Sequence, residues 1–250
     1  MIPAFFGFLI GTILGSLVKA LADRSLREET FSGRSYCPKC KKSLVWFDLI
    51  PILSYFVLGG KCRYCKSRIG IEYPLVEIGM GILTGLLFFL NPIISPSLIF
   101  HVFFITILGI IFLTDLKEML IPDSIILPSI GISLIYLMIF DNYFLDSLLT
   151  GLVIAGFFLI LIIITRGKGM GGGDVKLGMF LGLGLGFPNG ILALMLSFFS
   201  GAIFAVALII LKKKKFGQVI PFGPFLVLAS LISLFWGTNI LNWYLRFPNF

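Results

Sequence analysis

The stretch Gly169-Met170-Gly171-Gly172-Gly173-Asp174-Val175-Lys176 runs directly into the apolar segment Leu177–Phe187. Four of its eight residues are glycine, which widens the backbone shapes open to it. An aspartate at the mouth of a membrane-type segment is costly unless it has a use, so Asp174 is a functional candidate. A phosphate-binding loop would need Gly-Lys-Ser/Thr at its end and a soluble strand before it. Neither is present. The competing reading is a flexible connector in which Asp174 only caps a helix.

Working outward, the chain of 250 residues is 58% hydrophobic and 13% charged, with a mean hydropathy of +1.06. Such a composition excludes an ordinary soluble domain. Eight apolar runs reach or approach the ~20 residues that cross a bilayer: about 3–22, 73–90, 97–114, 124–140, 147–165, 174–187, 190–211 and 224–240. The fold class expected is an all-α polytopic membrane protein, a bundle of about eight transmembrane helices. The first run is too long and glycine-rich for a cleaved signal peptide and is expected to be retained. Run six is short, about 21 Å of helix at ~1.5 Å per residue against a hydrocarbon core of ~30 Å. Asp174 should therefore lie within the membrane boundary.

The net charge of +8 is a matter of topology rather than of nucleic acid, for which no partner role is expected. With the N-terminus outside, the cytoplasmic segments hold Arg24 to Arg68, Lys117, Arg166, Lys168, Lys176 and Lys212 to Lys215. Arg246 alone falls on the other side, with Asp141 and Asp146 in an external loop. Lys212 to Lys215 read as the inside anchor of the seventh span, with attraction to anionic membrane lipids the alternative. Gly7, Gly11 and Gly15 in the first span, and Gly178, Gly182 and Gly186 in the sixth, read as helix-packing seams. The one histidine, His101, reads as a packing residue.

Residues 23–72 are polar, basic and turn-rich, and hold all four cysteines as Cys37-Pro38-Lys39-Cys40 and Cys62-Arg63-Tyr64-Cys65. Two Cys-x-x-Cys pairs at this separation fit a tetrahedral structural zinc. Two disulfides are the alternative, disfavoured in a reducing cytoplasm. A small zinc-bearing cytoplasmic insertion is thus expected.

A second carboxylate, Asp115, ends the third run on the same membrane face as Asp174, followed by a loop from Leu116 to Asp123. Two converging carboxylates share the work of acid and base. The same pair would also suit a proton-coupled transporter, and a non-enzymatic pilus or secretion assembly platform would account for the cysteines alone.

The chain resembles the type IV prepilin peptidases, the bacterial Gly-x-Gly-Asp intramembrane aspartic proteases, from about Gly11 to Leu226. The residues carrying the likeness are Gly171-Gly172-Gly173-Asp174 with Lys176, Asp115 with Ile121-Pro122-Asp123, and the paired cysteines. Asp48-Leu49-Ile50-Pro51, Tyr73-Pro74-Leu75-Val76-Glu77 and Ile220-Pro221-Phe222-Gly223-Pro224 complete it. The resemblance implies Asp115 and Asp174 as catalytic residues, with Asp123 a helix cap. It makes Gly171, Gly173 and Lys176 a substrate loop, and Cys37, Cys40, Cys62 and Cys65 the metal ligands. The implied activity removes the short basic leader of prepilins or pseudopilins after a glycine, at the cytoplasmic face of the bacterial inner membrane, in type IV pilus or type II secretion systems. Many relatives also N-methylate the new terminus with S-adenosylmethionine, a role tied to the first cytoplasmic region. The implied division is a first transmembrane helix (1–22), a four-cysteine zinc region (23–72) and a transmembrane peptidase domain (73–250). The chain departs from the family at Gly15-Ser16-Leu17-Val18-Lys19, where Lys19 stands near the usual Asn, and at Arg24-Ser25, where a proline is common.

Overall fold

A computed structural model describes residues 2–31, 33–140, 143–167, 170–212 and 220–246, without the side chain of Arg246. Asp141, Lys168 and Lys213 to Lys215, used above to orient the chain, lie outside the described residues, as does Gly169 of the glycine-rich stretch. Among the described residues the chain is helical, with isolated bridges in place of strands. The long helices are α1 (Ile2–Leu26), α3 (Glu72–Leu90), α4 (Pro96–Glu118), α5 (Asp123–Phe140), α6 (Phe144–Ile164), α8 (Asn189–Ile210) and α9 (Gly223–Arg246). These seven are long and apolar enough to cross a membrane. Between α6 and α8 lies α7 (Gly172–Leu185), an apolar helix of 14 residues. Helices are what such sequences must form in lipid, because each satisfies its own backbone hydrogen bonds. Two short elements fill the first connection, a 3-10 turn (Trp46–Leu49) and α2 (Leu53–Val57).

The chain folds as two compact units, Met1–Thr114 and Asp115–Phe250, the boundary falling inside α4. In the first, α1 and α3 pack antiparallel along the small-residue seam. A Cβ on Gly7 would meet the Phe88 ring, one on Gly11 the α3 backbone at Gly81, and one on Gly15 the Glu77 Cα at 2.6 Å. Glycine is required there because the two backbones touch.

In the second unit α6 and α7 repeat the device, Gly182 lying against the backbone of Gly151 and Gly178 against Phe158 and Ile154. Gly186 does not join that seam. It takes φ +61° and terminates α7, a conformation open to glycine at little cost. Phe158, Phe198 and Phe222 form a cluster with ring centroids 4.9–6.2 Å apart, and this anchors the segment leading into α9. Farther along, Ser233 Oγ donates to the Asn189 carbonyl at 2.6 Å, tying α9 to α8.

Candidate active site and metal centre

Asp115 lies one turn before the end of α4, which continues to Glu118. The sequence ended that helix at Asp115; Leu116 to Glu118 remain helical, with Met119 N–H still reaching the Asp115 carbonyl at 3.0 Å. The Asp115 side chain is buried. Its Oδ2 accepts the backbone N–H of Gly223, the first residue of α9, at 2.9 Å. A Cβ on Gly223 would fall 2.5 Å from that oxygen. The Ile220–Pro224 segment therefore has a physical reason to carry glycine: only a bare α-carbon lets the N-terminus of α9 close onto the carboxylate.

Asp174 is buried in the first turn of α7. Its Oδ2 accepts the Gly171 N–H at 3.3 Å while its own N–H donates to the Gly171 carbonyl at 3.2 Å. The two carboxylates interact electrostatically. Each meets a helix N-terminus, of α9 for Asp115 and of α7 for Asp174, where orphan N–H groups and the helix dipole favour negative charge. Such an arrangement can move protons and stabilise an oxyanion.

The glycines and Lys176 stand in different surroundings. Gly171 is extended, at φ −89° and ψ 156°. Gly173 lies within α7, where a Cβ would meet the Ile121 side chain at 3.0 Å, so its smallness packs the two aspartate-bearing segments together. Lys176 makes an ion pair with Asp123, the first residue of α5, at 2.5 Å. Asp123 is exposed and Lys176 half-buried, and pairs at such solvent-accessible positions contribute only about 0–1 kcal/mol. Asp123→Asn should shift thermal stability by no more than that and leave most activity in place, measured as melting temperature and turnover.

The four cysteines form two knuckles of the same design. In each, a bridge pairs the residue before the first cysteine with one after the second: Tyr36 with Ser43, and Lys61 with Arg68. Cys37 N–H donates to Lys42 O at 3.0 Å, and Cys62 N–H to Ser67 O at 2.8 Å. Lys41 and Lys66 occupy the matching left-handed positions, φ 57° and 56°. The four sulfurs lie within 4.8 Å of one another, Cys37 and Cys65 at 3.8 Å. A disulfide would need about 2.0 Å, whereas a tetrahedral ion with ~2.3 Å bonds to sulfur sets about 3.8 Å between ligands. All four thiols are free. Burial works against the Cys37 thiolate, but N–H groups of Cys40 and Lys39 outweigh it and bring its pKa down to about 6. Cys40 receives the Lys42 N–H, yet burial and the neighbouring Cys65 and Cys37 push it up to about 11. The donor set fits a metal ion.

The chain matches two family profiles, the Bacterial Peptidase A24 N-terminal domain over residues 9–91 and the Type IV leader peptidase family over residues 102–206. It is 34% identical over 247 residues to the "Prepilin leader peptidase/N-methyltransferase" of Bacillus subtilis (strain 168), covering 96% of each chain. It is also 34% identical to proteins of the same name from Pseudomonas aeruginosa (86% of this chain, 76% of the relative) and Aeromonas salmonicida (85% and 74%). This chain belongs to the type IV leader peptidase family. No solved structure matches it.

Within this leader-peptidase chain, the departure at Lys19 has a structural partner set. Lys19 is 1% exposed and pairs with Asp23 at 2.5 Å and with Glu72 at 3.1 Å, its ammonium 4.2 Å from the Tyr73 ring centroid. Tyr73 OH donates to the same Asp23 carboxylate at 2.8 Å. Lys19 is therefore not a lone cation but the centre of a network of two carboxylates and a tyrosine ring. Lys19→Asn removes the cation that Asp23 and Glu72 share, and the expected cost is about 1–3 kcal/mol, read as a lower melting temperature. Nothing in the sequence assigns Gly223 a role of its own, because its contact with Asp115 spans 108 residues of chain. The Pro221-Phe222-Gly223-Pro224 segment, quoted above for the resemblance alone, was the available signal.

Proposed function

We propose that the chain is a membrane aspartic endopeptidase that removes the short basic leader of type IV prepilins or pseudopilins at the cytoplasmic face of the inner membrane. The reading is supported by two buried aspartates, far apart in sequence, that influence each other electrostatically and each lie against a helix N-terminus. One carboxylate takes a proton from water as it attacks the scissile carbonyl. The other, protonated, polarises that carbonyl and then protonates the departing amine. The two titrate as a unit, so the roles belong to the pair. The N–H groups of Gly171 and Gly223 hold the carboxylates in place, and extended Gly171 offers backbone to a substrate strand. No metal is used in this chemistry.

Zinc is the ion proposed for Cys37, Cys40, Cys62 and Cys65, with a purely structural part. The proposed division keeps 1–22 as the first span, 23–72 as the zinc region and 73–250 as the peptidase domain. N-methylation of the new terminus by S-adenosylmethionine is proposed from the names of the relatives, and is assigned to the first cytoplasmic region. Purified protein incubated with a prepilin in lipid should release the leader, and mass spectrometry should find the cut after the glycine that precedes the hydrophobic helix. With S-adenosylmethionine present, the product should gain one methyl group. Intact prepilin would refute the peptidase, and an unmodified cleaved product would refute the methyltransferase alone.

Gly223→Ala gives a third variant to measure. Its methyl group forces the α9 N-terminus and Asp115 apart, and displacements near 1 Å at reacting groups cost about 10²-fold. The expected result is a fall of about that size in kcat, with KM little changed.

A further inference from the structure

The first connection carries an exposed apolar surface. Trp46, Leu53, Phe56 and Val57 are 76, 62, 68 and 79% exposed, and Leu49 and Ile50 are exposed beside them. They stand on the 3-10 turn, on α2 and between the two, in a stretch of chain flanked by the basic residues Lys39, Lys41, Lys42, Lys61, Lys66 and Arg68. Exposed apolar patches of this kind mark interaction sites.

The depth of this element is fixed by its contacts. Ile52, at the start of α2, donates its N–H to Glu77 Oε2 at 2.7 Å. Glu77 lies five residues inside α3, which begins at Glu72, or roughly 7.5 Å along the helix at ~1.5 Å per residue. Ser16, well before the end of α1, hydrogen-bonds the same carboxylate. Ile52 is held at φ 65°, a conformation rare for a β-branched residue. Arg63 locks the other end, donating from Nε and Nη2 to Asp48 Oδ1 at 2.8 Å, with its guanidinium 4.7 Å from the Phe47 ring centroid.

We infer that residues 46–57 form a wedge lying in the lipid headgroup layer beside α1 and α3. Its apolar side chains enter the acyl boundary, and the surrounding lysines and arginines meet anionic headgroups. The two membrane-crossing helices that bound the segment, and the depth of Glu77, bring it to the bilayer surface. The mixture of aromatic and aliphatic side chains with a basic rim is what an interfacial element requires.

The test uses the full-length protein with Trp236→Phe and Trp243→Phe, leaving Trp46 as the sole tryptophan, reconstituted in vesicles of phosphatidylcholine and phosphatidylglycerol. Trp46 emission should be blue-shifted and strongly quenched by acyl-brominated lipid, but little quenched by aqueous iodide. An interfacial element sits ~5–10 Å deep, so bromines high on the acyl chain should quench more than bromines at its end. Adding Phe56→Asp and Val57→Asp should reverse this pattern while the metal content stays unchanged, showing that the region still folds. Iodide-accessible Trp46 in vesicles would overturn the inference, as would lipid quenching that survives the double aspartate change. Protection that arises only when prepilin is added would make the patch a substrate groove. Protection that depends on protein density in the vesicles would make it an interface between copies. Either result would also reject the lipid assignment.

Discussion

Asp115→Asn and Asp174→Asn should each lower kcat for leader removal on the order of 10⁴-fold, the upper range for loss of a general acid or base. Asparagine keeps the size of the side chain and an oxygen to accept the N–H of Gly223 or Gly171. What it removes is the ability to take up and return a proton. Folding and membrane insertion should therefore be unchanged, as should KM for prepilin. Because the two groups act as a unit, the double variant should be no slower than either single one. A single variant that retains appreciable turnover would remove that aspartate from the chemistry. Asp123, held in its exposed pair with Lys176, serves as the internal control.

Loss of the metal should have the next largest effect, on structure rather than on turnover. Cys37→Ser combined with Cys62→Ser should take zinc from about one equivalent to none, since each knuckle loses a ligand. Residues 23–72 have little core of their own, and binding energy in such small metal sites is folding energy. The connection should then become open to trypsin at Lys39, Lys41 and Lys42, read by limited digestion. Leader removal should persist, because Asp115 and Asp174 belong to the other compact unit. Full zinc occupancy in the double variant would exclude the cysteine site, and resistance to trypsin without metal would show that the region folds by other means.

How much of this was written in the sequence differs by level. The spans were legible because hydrophobic length is a local property, and the eight apolar runs correspond to α1 and α3–α9 within a few residues at most ends. The end of α4 was misjudged, since charged residues near a membrane boundary read as loop although helix continues there to Glu118. Gly186 was placed in a packing seam by its spacing, but spacing cannot reveal the positive φ that makes it a terminator. The cysteine pairs gave the metal cluster, while the matched turns at Lys41 and Lys66 emerge only from the backbone. Asp115 and Asp174 could be named from pattern. Their N–H donors could not: Gly223 reaches Asp115 across the whole second unit, and no periodicity encodes such a contact.

Joint action of Asp115 and Asp174 on one carbonyl is tested most directly by a tetrahedral mimic of that carbonyl. A leader-junction peptide whose scissile amide is replaced by a hydroxyethylene group resembles the transition state, for which an enzyme's affinity is greatest. It should inhibit the wild-type enzyme at least ~10²-fold more tightly than the unmodified peptide binds, with zinc chelators making no difference. Either Asp→Asn variant should lose that advantage. Equal affinity for wild type and both variants would contradict the central claim.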